Sequence, residues 1–164
     1  TAAALSAGAP LGAVARGLAA FRPVAGRLVA MRTDAGALVI DDSYNANPDS
    51  VRAAIEVLAR APGRRRLVLG DMGEVGAEGP TFHREVGAYA RERRIDRLDA
   101  VGTLARHAAE AFGEGARWYA DVDALVAAVV PEAREGVAIL VKGSRFMRME
   151  RVVAALAAAP AGGL

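Results

Sequence analysis

The sequence predicts an α/β domain with a mostly parallel sheet and helices on both of its faces. Short apolar runs alternate along the chain with segments in which apolar residues recur at helical spacing. One run, Val137–Val141, is continuous and rich in β-branched residues, which is typical of a strand buried on both faces. Regular alternation of strands and helices favours parallel pairing through crossover helices.

The composition is that of one domain of ordinary size. The chain has 164 residues, of which 53% are hydrophobic and only 5% aromatic, so its core depends on small side chains. The absence of cysteine excludes disulfides and thiolate metal sites. The uncharged ends, residues 1–15 and 152–164, are shorter than the roughly 20 residues of a membrane-spanning helix. A soluble protein is therefore expected.

The charge pattern gives little support for a nucleic-acid surface. The net charge is only +2, and the arginine clusters at residues 64–66 and 91–97 are interleaved with acids or flank predicted strands. Both clusters are expected to be solvated edges of the domain.

The first 23 residues differ in character from the rest. Thr1–Phe21 is alanine-rich, helix-forming sequence that is broken at Gly8-Ala9-Pro10. Pro23 and Gly26 then flank an apolar pair, as in a connector. We expect residues 1–23 to be the tail and linker of a preceding domain, and residues 24–164 to be the compact domain. A chain that begins at a threonine is also expected to be a fragment.

The compact domain is predicted to alternate strands and helices. The first two strands are separated by a turn at residues 33–36 and are expected to form a hairpin. The predicted strands are Arg27–Arg32, Ala37–Asp41, Arg66–Gly70, Leu98–Val101, Arg117–Tyr119 and Val137–Val141. The predicted helices begin after Asn47, near Thr81, at Leu104, after Asp121 and at Phe146.

The turn Asp41–Ser50 is the first candidate site. Asp41 and Asp42 end a strand, and the N-cap Asn47 is followed by Pro48 at the first helical position. Open α/β sheets bind ligands beyond the carboxyl ends of their strands, where a carboxylate can accept hydrogen bonds from ribose hydroxyls. Local turn and cap chemistry is the alternative. The residues alone leave both open, and do not show which aspartate faces the cleft.

Two further loops follow predicted strands and are expected at the same sheet edge. In Gly70–Gly76, glycines at every third position allow close backbone approach to a ligand. Asp71 and Glu74 there suit a cation or an amine, and a solvated acidic loop is an equal expectation. Lys142–Arg145 places two cations, a glycine and a hydroxyl before the last helix, which suits an anion. An exposed turn is the alternative.

Familiar catalytic motifs are absent. The chain has neither the dinucleotide G-x-G-x-x-G nor a G-x-x-x-x-G-K-[ST] phosphate loop, and no Ser-His-Asp or Cys-His arrangement follows from spacing. His83 is expected to be structural or solvent-facing, and Trp118 and the Phe and Met residues to lie in the core or at its rim. The chain therefore has the character of half an active site.

The three loops together resemble the C-terminal domain of the Mur ligases of peptidoglycan synthesis. The matching stretches are Asp41–Ser50, Leu69–Glu74 and Val141–Arg145, and the resemblance extends from about Gly26 to Leu156. The first stretch resembles the branch of the family that joins D-alanyl-D-alanine to UDP-N-acetylmuramoyl-tripeptide. Residues 1–21 resemble the end of the family's central ATPase domain.

The resemblance implies a cytoplasmic, ATP-dependent ligase of three domains. The N-terminal domain would hold the UDP-sugar peptide, and the central domain the phosphate loop, the Mg²⁺ ligands and most ATP contacts. A Rossmann-like C-terminal domain would close over them. ATP would phosphorylate the peptide's terminal carboxylate to an acyl phosphate, which the amine of D-alanyl-D-alanine attacks. This fragment would be inactive alone. It would have no set of metal ligands of its own, and no nucleic-acid partner is expected.

The resemblance also implies roles for individual residues. Arg27 matches the family's junction arginine, which reaches ATP phosphate, and Asp42 matches an aspartate that contacts the ribose. The residues that match the turn lining the closed cleft are Tyr44, Asn45 and Asn47. Those expected to face the dipeptide or the peptide substrate are Asp71, Lys142, Ser144 and Arg145. The alternatives are a stand-alone Rossmann-like module that binds a nucleotide or anion without catalysis, and an interaction domain whose loops are only turns.

Overall fold

The fold is described from a computed structural model, for residues 2–20 and 24–159. The chain starts with two short helices, α1 (Ala2–Ser6) and α2 (Leu11–Ala19), which are separated at the predicted break. Neither helix buries any of its residues. Part of the predicted connector, residues 21–23, and the end of the chain after residue 159 lie outside the described residues.

A six-stranded sheet forms the centre of the domain, in the order β1-β2-β6-β3-β4-β5. The strands are β1 (Val29–Arg32), β2 (Leu38–Asp42), β3 (Arg64–Gly70), β4 (Arg97–Val101), β5 (Ala116–Tyr119) and β6 (Val137–Lys142). The pairs from β2 to β5 are parallel, and β1 pairs antiparallel with β2 as the predicted hairpin. The prediction of a mostly parallel sheet is confirmed, and the strand predicted to be buried on both faces, β6, lies in its middle.

Helices cover both faces of the sheet, as predicted. They are α3 (Pro48–Ala59), α4 (Gly79–Glu92), α5 (Ala105–Phe112), α6 (Val122–Val129) and α7 (Glu150–Ala157). One core cluster packs α3, α4 and α5 against Leu67 and Leu69 of β3. The other packs α6 and α7 against Val68, because successive strand side chains point to opposite faces. None of the described helices has the length and apolar character needed to cross a bilayer.

Helix α3 begins as its sequence predicts. The Asn47 side chain accepts a hydrogen bond from the Ser50 N–H at 2.8 Å, and the Ser50 hydroxyl accepts one from the Asn47 N–H at 3.0 Å. This reciprocal capping box and Pro48 at the first helical position fix the start of the helix. The helix is held on the sheet by its buried face, which consists of Val51, Ala54, Ile55 and Leu58.

The last helix starts later than predicted. The residues from Arg145 to Met147 form a 3₁₀ turn, Arg148 adopts a left-handed conformation with φ of 51°, and α7 begins only at Glu150. This turn brings the fully buried Met149 over the ends of two strands. Phe146 is 64% exposed as a result, so its expected place in the core or rim is wrong. Trp118 does lie at the rim and is 42% exposed.

The arginine cluster 64–66 is not uniformly solvated, so that expectation is wrong for Arg66. Arg66 is only 3% exposed, and its guanidinium donates to Asp99 at 2.5 Å and to Glu132 at 2.8 Å. Burial alone would lower the pKa of Arg66, but the hydrogen bond and charge of Asp99, together with the charge of Glu132, outweigh burial and raise it. Arg66 therefore lies in the interior of the domain, where two acidic partners balance its charge.

Candidate functional site

The three candidate loops meet at one edge of the sheet. Asp42 at the end of β2 lies beside Lys142 of β6, and Lys142 lies beside Leu69 of β3. Because the three strands are parallel, their carboxyl ends and the loops that follow them face the same side. The expectation that these loops share an edge is confirmed.

An ion pair between Lys142 and Asp42 lies at the centre of this edge. The Lys142 ammonium donates to Asp42 Oδ2 at 2.5 Å and to the Asn45 carbonyl at 2.9 Å, and its side chain is only 3% exposed. The other oxygen of Asp42 accepts a hydrogen bond from the Leu28 N–H at 3.1 Å. The expected cation at a helix N-terminus is wrong for Lys142, because its charge is neutralised and α7 begins only at Glu150.

Asp41 is used by the turn itself. Its Oδ1 accepts hydrogen bonds from the N–H and the hydroxyl of Ser43, and its Oδ2 accepts one from the Gly26 N–H at 3.1 Å. Gly26 has φ of 76°, and a Cβ there would lie 3.0 Å from the Tyr44 nitrogen, so the contact requires glycine. Asp41 therefore holds the junction against the turn, and Asp42 is the aspartate that lines the cleft.

Exposed side chains form the outer surface of the site. The Arg27 guanidinium carbon lies 4.5 Å from the centre of the Tyr44 ring, and that of Arg145 lies 6.0 Å away. Tyr44 is 44% exposed, so both contacts are open to solvent. Together with Asn45 and Asn47, Arg27 and Tyr44 line an open cleft of about 800 Å³.

A second recess of about 660 Å³ lies next to this cleft and shares Asn45 with it. Its wall includes Glu74, Arg145 and Phe146. Arg145 also pairs with Glu150 at 3.0 Å, across the surface, and its side chain is 63% exposed. Exposed guanidinium donors in such a recess suit a carboxylate or a phosphate.

Ser144 ties all three loops together. Its hydroxyl accepts a hydrogen bond from the Gly73 N–H at 2.5 Å and donates one to the Ala46 carbonyl at 3.1 Å. Its own N–H donates to the Asp71 carbonyl at 2.9 Å. Ser144 is only 3% exposed, so it lies at the predicted site as a buried tie between loops.

Asp71 stabilises the start of helix α5. Its Oδ1 accepts hydrogen bonds from the N–H groups of Leu104 and Ala105, at 3.0 and 2.6 Å. A carboxylate at this position satisfies helix N–H groups and favours the positive end of the helix dipole. Asp71 is 7% exposed, so a solvated acidic loop is wrong for this residue, whereas Glu74 is exposed.

His83 supports the second loop, Gly70–Gly76, and the sequence contained only a weak signal of this role. His83 is fully buried, its Nδ1 donates to the Gly79 carbonyl at 2.7 Å, and its Nε2 accepts from the Met72 N–H at 2.9 Å. These two contacts require the neutral ring, and burial lowers the pKa of His83. The structural role is confirmed. The available signal was a histidine one helical turn after a glycine, directly behind a glycine-rich loop.

Comparison with known proteins identifies the family. Residues 26–145 match the family model described as "Mur ligase, glutamate ligase domain", a span that includes all three loops. The chain belongs to the Mur ligase family.

Named relatives in this family place the chain more narrowly. It is 44% identical over 154 residues to the UDP-N-acetylmuramoyl-tripeptide–D-alanyl-D-alanine ligase of Escherichia coli (strain K12), covering 93% of this chain and 34% of the relative. It is 37% identical over 169 residues to the ligase of the same name from Bacillus subtilis (strain 168), covering 96% and 37%. The chain thus spans about a third of the length of these relatives.

Solved structures of this family share the fold. A crystal structure of MurF from Acinetobacter baumannii superposes with a TM-score of 0.82 at 32% identity, covering 94% of this chain and 34% of that one. MurF ligase from Thermotoga maritima in complex with ADP gives a TM-score of 0.74 at 25% identity, covering 88% and 35%.

Proposed function

We propose that this chain is the C-terminal domain of an ATP-dependent ligase that joins D-alanyl-D-alanine to UDP-N-acetylmuramoyl-tripeptide through an acyl phosphate. The reaction would belong to peptidoglycan synthesis in the cytoplasm. The observation that carries the proposal is the cleft beside the turn Asp41–Ser50, in a chain 44% identical to a relative named for this activity. Residues 1–23 would be the tail of the central domain, which fits the absence of buried residues in α1 and α2.

The cleft suits one side of a bound nucleotide. The exposed Arg27 guanidinium would donate charge-assisted hydrogen bonds to phosphate oxygens of ATP. Asp42 would accept hydrogen bonds from ribose hydroxyls with the lone pairs that Lys142 and the Leu28 N–H leave open. The cap occupies the side-chain oxygen of Asn47 and leaves its amide donors for the ligand. A relative whose structure is a complex with ADP supports nucleotide binding by the family.

The second recess would receive the dipeptide or the peptide substrate. Arg145 is the exposed cation at that wall and would bind a carboxylate of the substrate. Asp71, Lys142 and Ser144 would act indirectly, since their polar atoms already hold the loops together. Because these buried hydrogen bonds hold the loops rigidly, the exposed groups on the loops would stay in position for acyl transfer.

The remaining chemistry is assigned to the other domains. The described residues contain no group of three or more His, Cys, Asp and Glu side chains arranged to hold a metal ion. Mg²⁺, when bound in the central domain, would neutralise phosphate charge. This domain would contribute closure, which excludes water from the acyl phosphate and aligns the attacking amine.

The test uses the full-length ligase with substitutions at exposed residues. Arg27→Ala is expected to lower kcat/KM for ATP by about tenfold or more, the effect of losing a charge-assisted hydrogen bond. Tyr44→Ala is expected to lower it by less, because it removes the ring against which the Arg27 guanidinium lies. Arg84→Ala, on the exposed face of α4, is the control and should leave the kinetics unchanged. Wild-type kinetics in both cleft variants would contradict the assignment. Asp42 is a poor probe, since its removal also leaves the buried Lys142 unpaired.

A second measurement uses the 164-residue chain by itself. It is expected neither to hydrolyse ATP nor to ligate D-alanyl-D-alanine, because the phosphate loop is absent. Turnover by this chain would overturn the proposal. Tight ATP binding without turnover, measured by calorimetry, would favour the stand-alone nucleotide-binding module.

A further inference from the structure

A group of arginines lies at the opposite edge of the sheet, away from the cleft. Arg64, Arg65 and Arg66 begin β3, Arg97 begins β4, and Arg134 precedes β6. Because these strands are parallel neighbours, their amino ends bring the five side chains around one small, partly open recess. None of these residues belongs to the candidate active site.

Two of the five arginines are neutralised by aspartates. Arg65 pairs with Asp96 at 3.2 Å through its side chain and also donates its backbone N–H to the same carboxylate. Arg66 pairs with Asp99, whose other oxygen accepts a hydrogen bond from the Tyr119 hydroxyl at 2.9 Å. These contacts join β3, β4 and β5.

The remaining charges are unbalanced. Glu132 is 2.8 Å from Arg66 and 3.7 Å from Arg97, so one carboxylate is shared between two guanidinium groups. Within the described ranges, Arg64 and Arg134 lie in no ion pair, although both line the recess. The recess therefore carries an excess of positive charge.

Two buried donors at this site have no acceptor. Arg66 Nη2 and Arg97 Nε are shielded from solvent, and neither donates a hydrogen bond to any group in the described part of the chain. A buried guanidinium N–H without an acceptor costs free energy, and such groups are rare in native proteins. Both atoms are closed off from solvent, so an anion in the recess would meet the exposed guanidinium groups around them and balance the excess positive charge.

We propose that this recess binds a small phosphate-type dianion, such as inorganic phosphate. Arg64, Arg97 and Arg134 hold its oxygens, with Arg66 behind them. Guanidinium groups match phosphate oxygens in charge and geometry. The bound anion stabilises the folded domain increasingly as its concentration rises above Kd, because it binds only where the three strands are assembled. The site does not depend on the proposed ligase function, since it lies at the other edge of the sheet.

The first test titrates inorganic phosphate into the 164-residue chain at constant ionic strength, with chloride as the comparison. NMR signals of the Arg66 and Arg97 Nε–H groups report on the recess directly. Saturable shifts of both signals with phosphate and none with chloride are the expected result. Shifts that rise linearly, or that appear equally with chloride, would show general ion screening and overturn the proposal.

The second test removes the exposed arginines. The double variant Arg64→Gln, Arg134→Gln is expected to bind phosphate about tenfold more weakly or worse, because charge-assisted hydrogen bonds are lost. The matched control, Arg16→Gln with Arg84→Gln, removes the same charge from exposed positions elsewhere and should change the affinity less than about twofold. All four residues are exposed, so both proteins are expected to fold. Equal weakening in the two double variants would overturn the site.

Discussion

The carboxyl edge of the sheet contains two layers of polar residues that differ in burial and in contacts. The inner layer, Asp42, Asp71, Lys142 and Ser144, is at most 9% exposed, and each member bonds to another loop. The outer layer, Arg27, Tyr44 and Arg145, is exposed and held by contacts between guanidinium groups and a ring and by the surface ion pair of Arg145 with Glu150. Two cations three positions apart thus differ in burial: Lys142 is buried in an ion pair, whereas the Arg145 side chain is exposed.

This difference separates residues that stabilise the domain from residues that are available to bind a ligand. A side chain whose polar atoms are already bonded contributes to stability, and its removal leaves a buried partner unsatisfied. A side chain with free donors at the surface contributes little to stability and is available to a ligand. Substitutions in the two layers should therefore divide into those that unfold the domain and those that disable it.

The largest effect is expected for Lys142→Met, which keeps the apolar stem but leaves the Asp42 carboxylate buried without its partner. We expect a loss of about 3 to 5 kcal/mol in the free energy of unfolding, measured by urea denaturation. Arg145→Met removes the same charge from the outer layer and should cost less than about 0.5 kcal/mol. Similar losses in the two variants would remove the distinction between the layers. Adding Asp42→Asn to Lys142→Met should recover part of the loss.

An intermediate effect is expected on acidification, through His83. Because burial lowers the pKa of His83 in the folded protein, its contribution to stability is fully present above the ordinary value of 6.5 and is lost as pH falls below it. The free energy of unfolding should then fall by up to about 1.4 kcal/mol per pH unit. Urea denaturation between pH 7.5 and 5 measures this slope. His83→Gln should lose this component, whereas the control His107→Gln should keep it.

The smallest effect is expected between Arg27 and Tyr44 in the outer layer. Their contact is exposed, so a double-mutant cycle with alanine should give a coupling energy of about 0.5 kcal/mol in unfolding experiments. A cycle between Arg84 and Tyr44 is the control and should give none. A coupling above about 2 kcal/mol would place this pair with the inner layer.

The order of strands and helices could be predicted because its signals are local. The continuous run Val137–Val141, the apolar spacing after Pro48 and the turn between β1 and β2 each lie within one segment, and each is confirmed. The shared edge of the three loops also follows from parallel pairing alone. The convergence of the three candidate loops was thus accessible from the sequence.

The division into layers was not accessible, because it depends on partners that are distant in the chain. Lysine and arginine are usually exposed, yet Lys142 and Arg66 are buried against Asp42 and Asp99. Only the register between strands brings those groups together. The late start of α7 has a similar cause, since Phe146 and Met149 continue the apolar pattern of a helix while Arg148 turns the chain.

The bonds that complete the first turn have a consequence for synthesis on the ribosome. Asp42 and Lys142 are 100 positions apart, and Ala46 and Ser144 are 98 apart. Strand β6 is translated last of the six, yet it lies between β2 and β3. In a nascent chain that ends before β6, the β1–β2 hairpin and the β3–β4–β5 strands are therefore not joined by strand pairing. The wall of the cleft is assembled only when the final segments of the domain have left the ribosome.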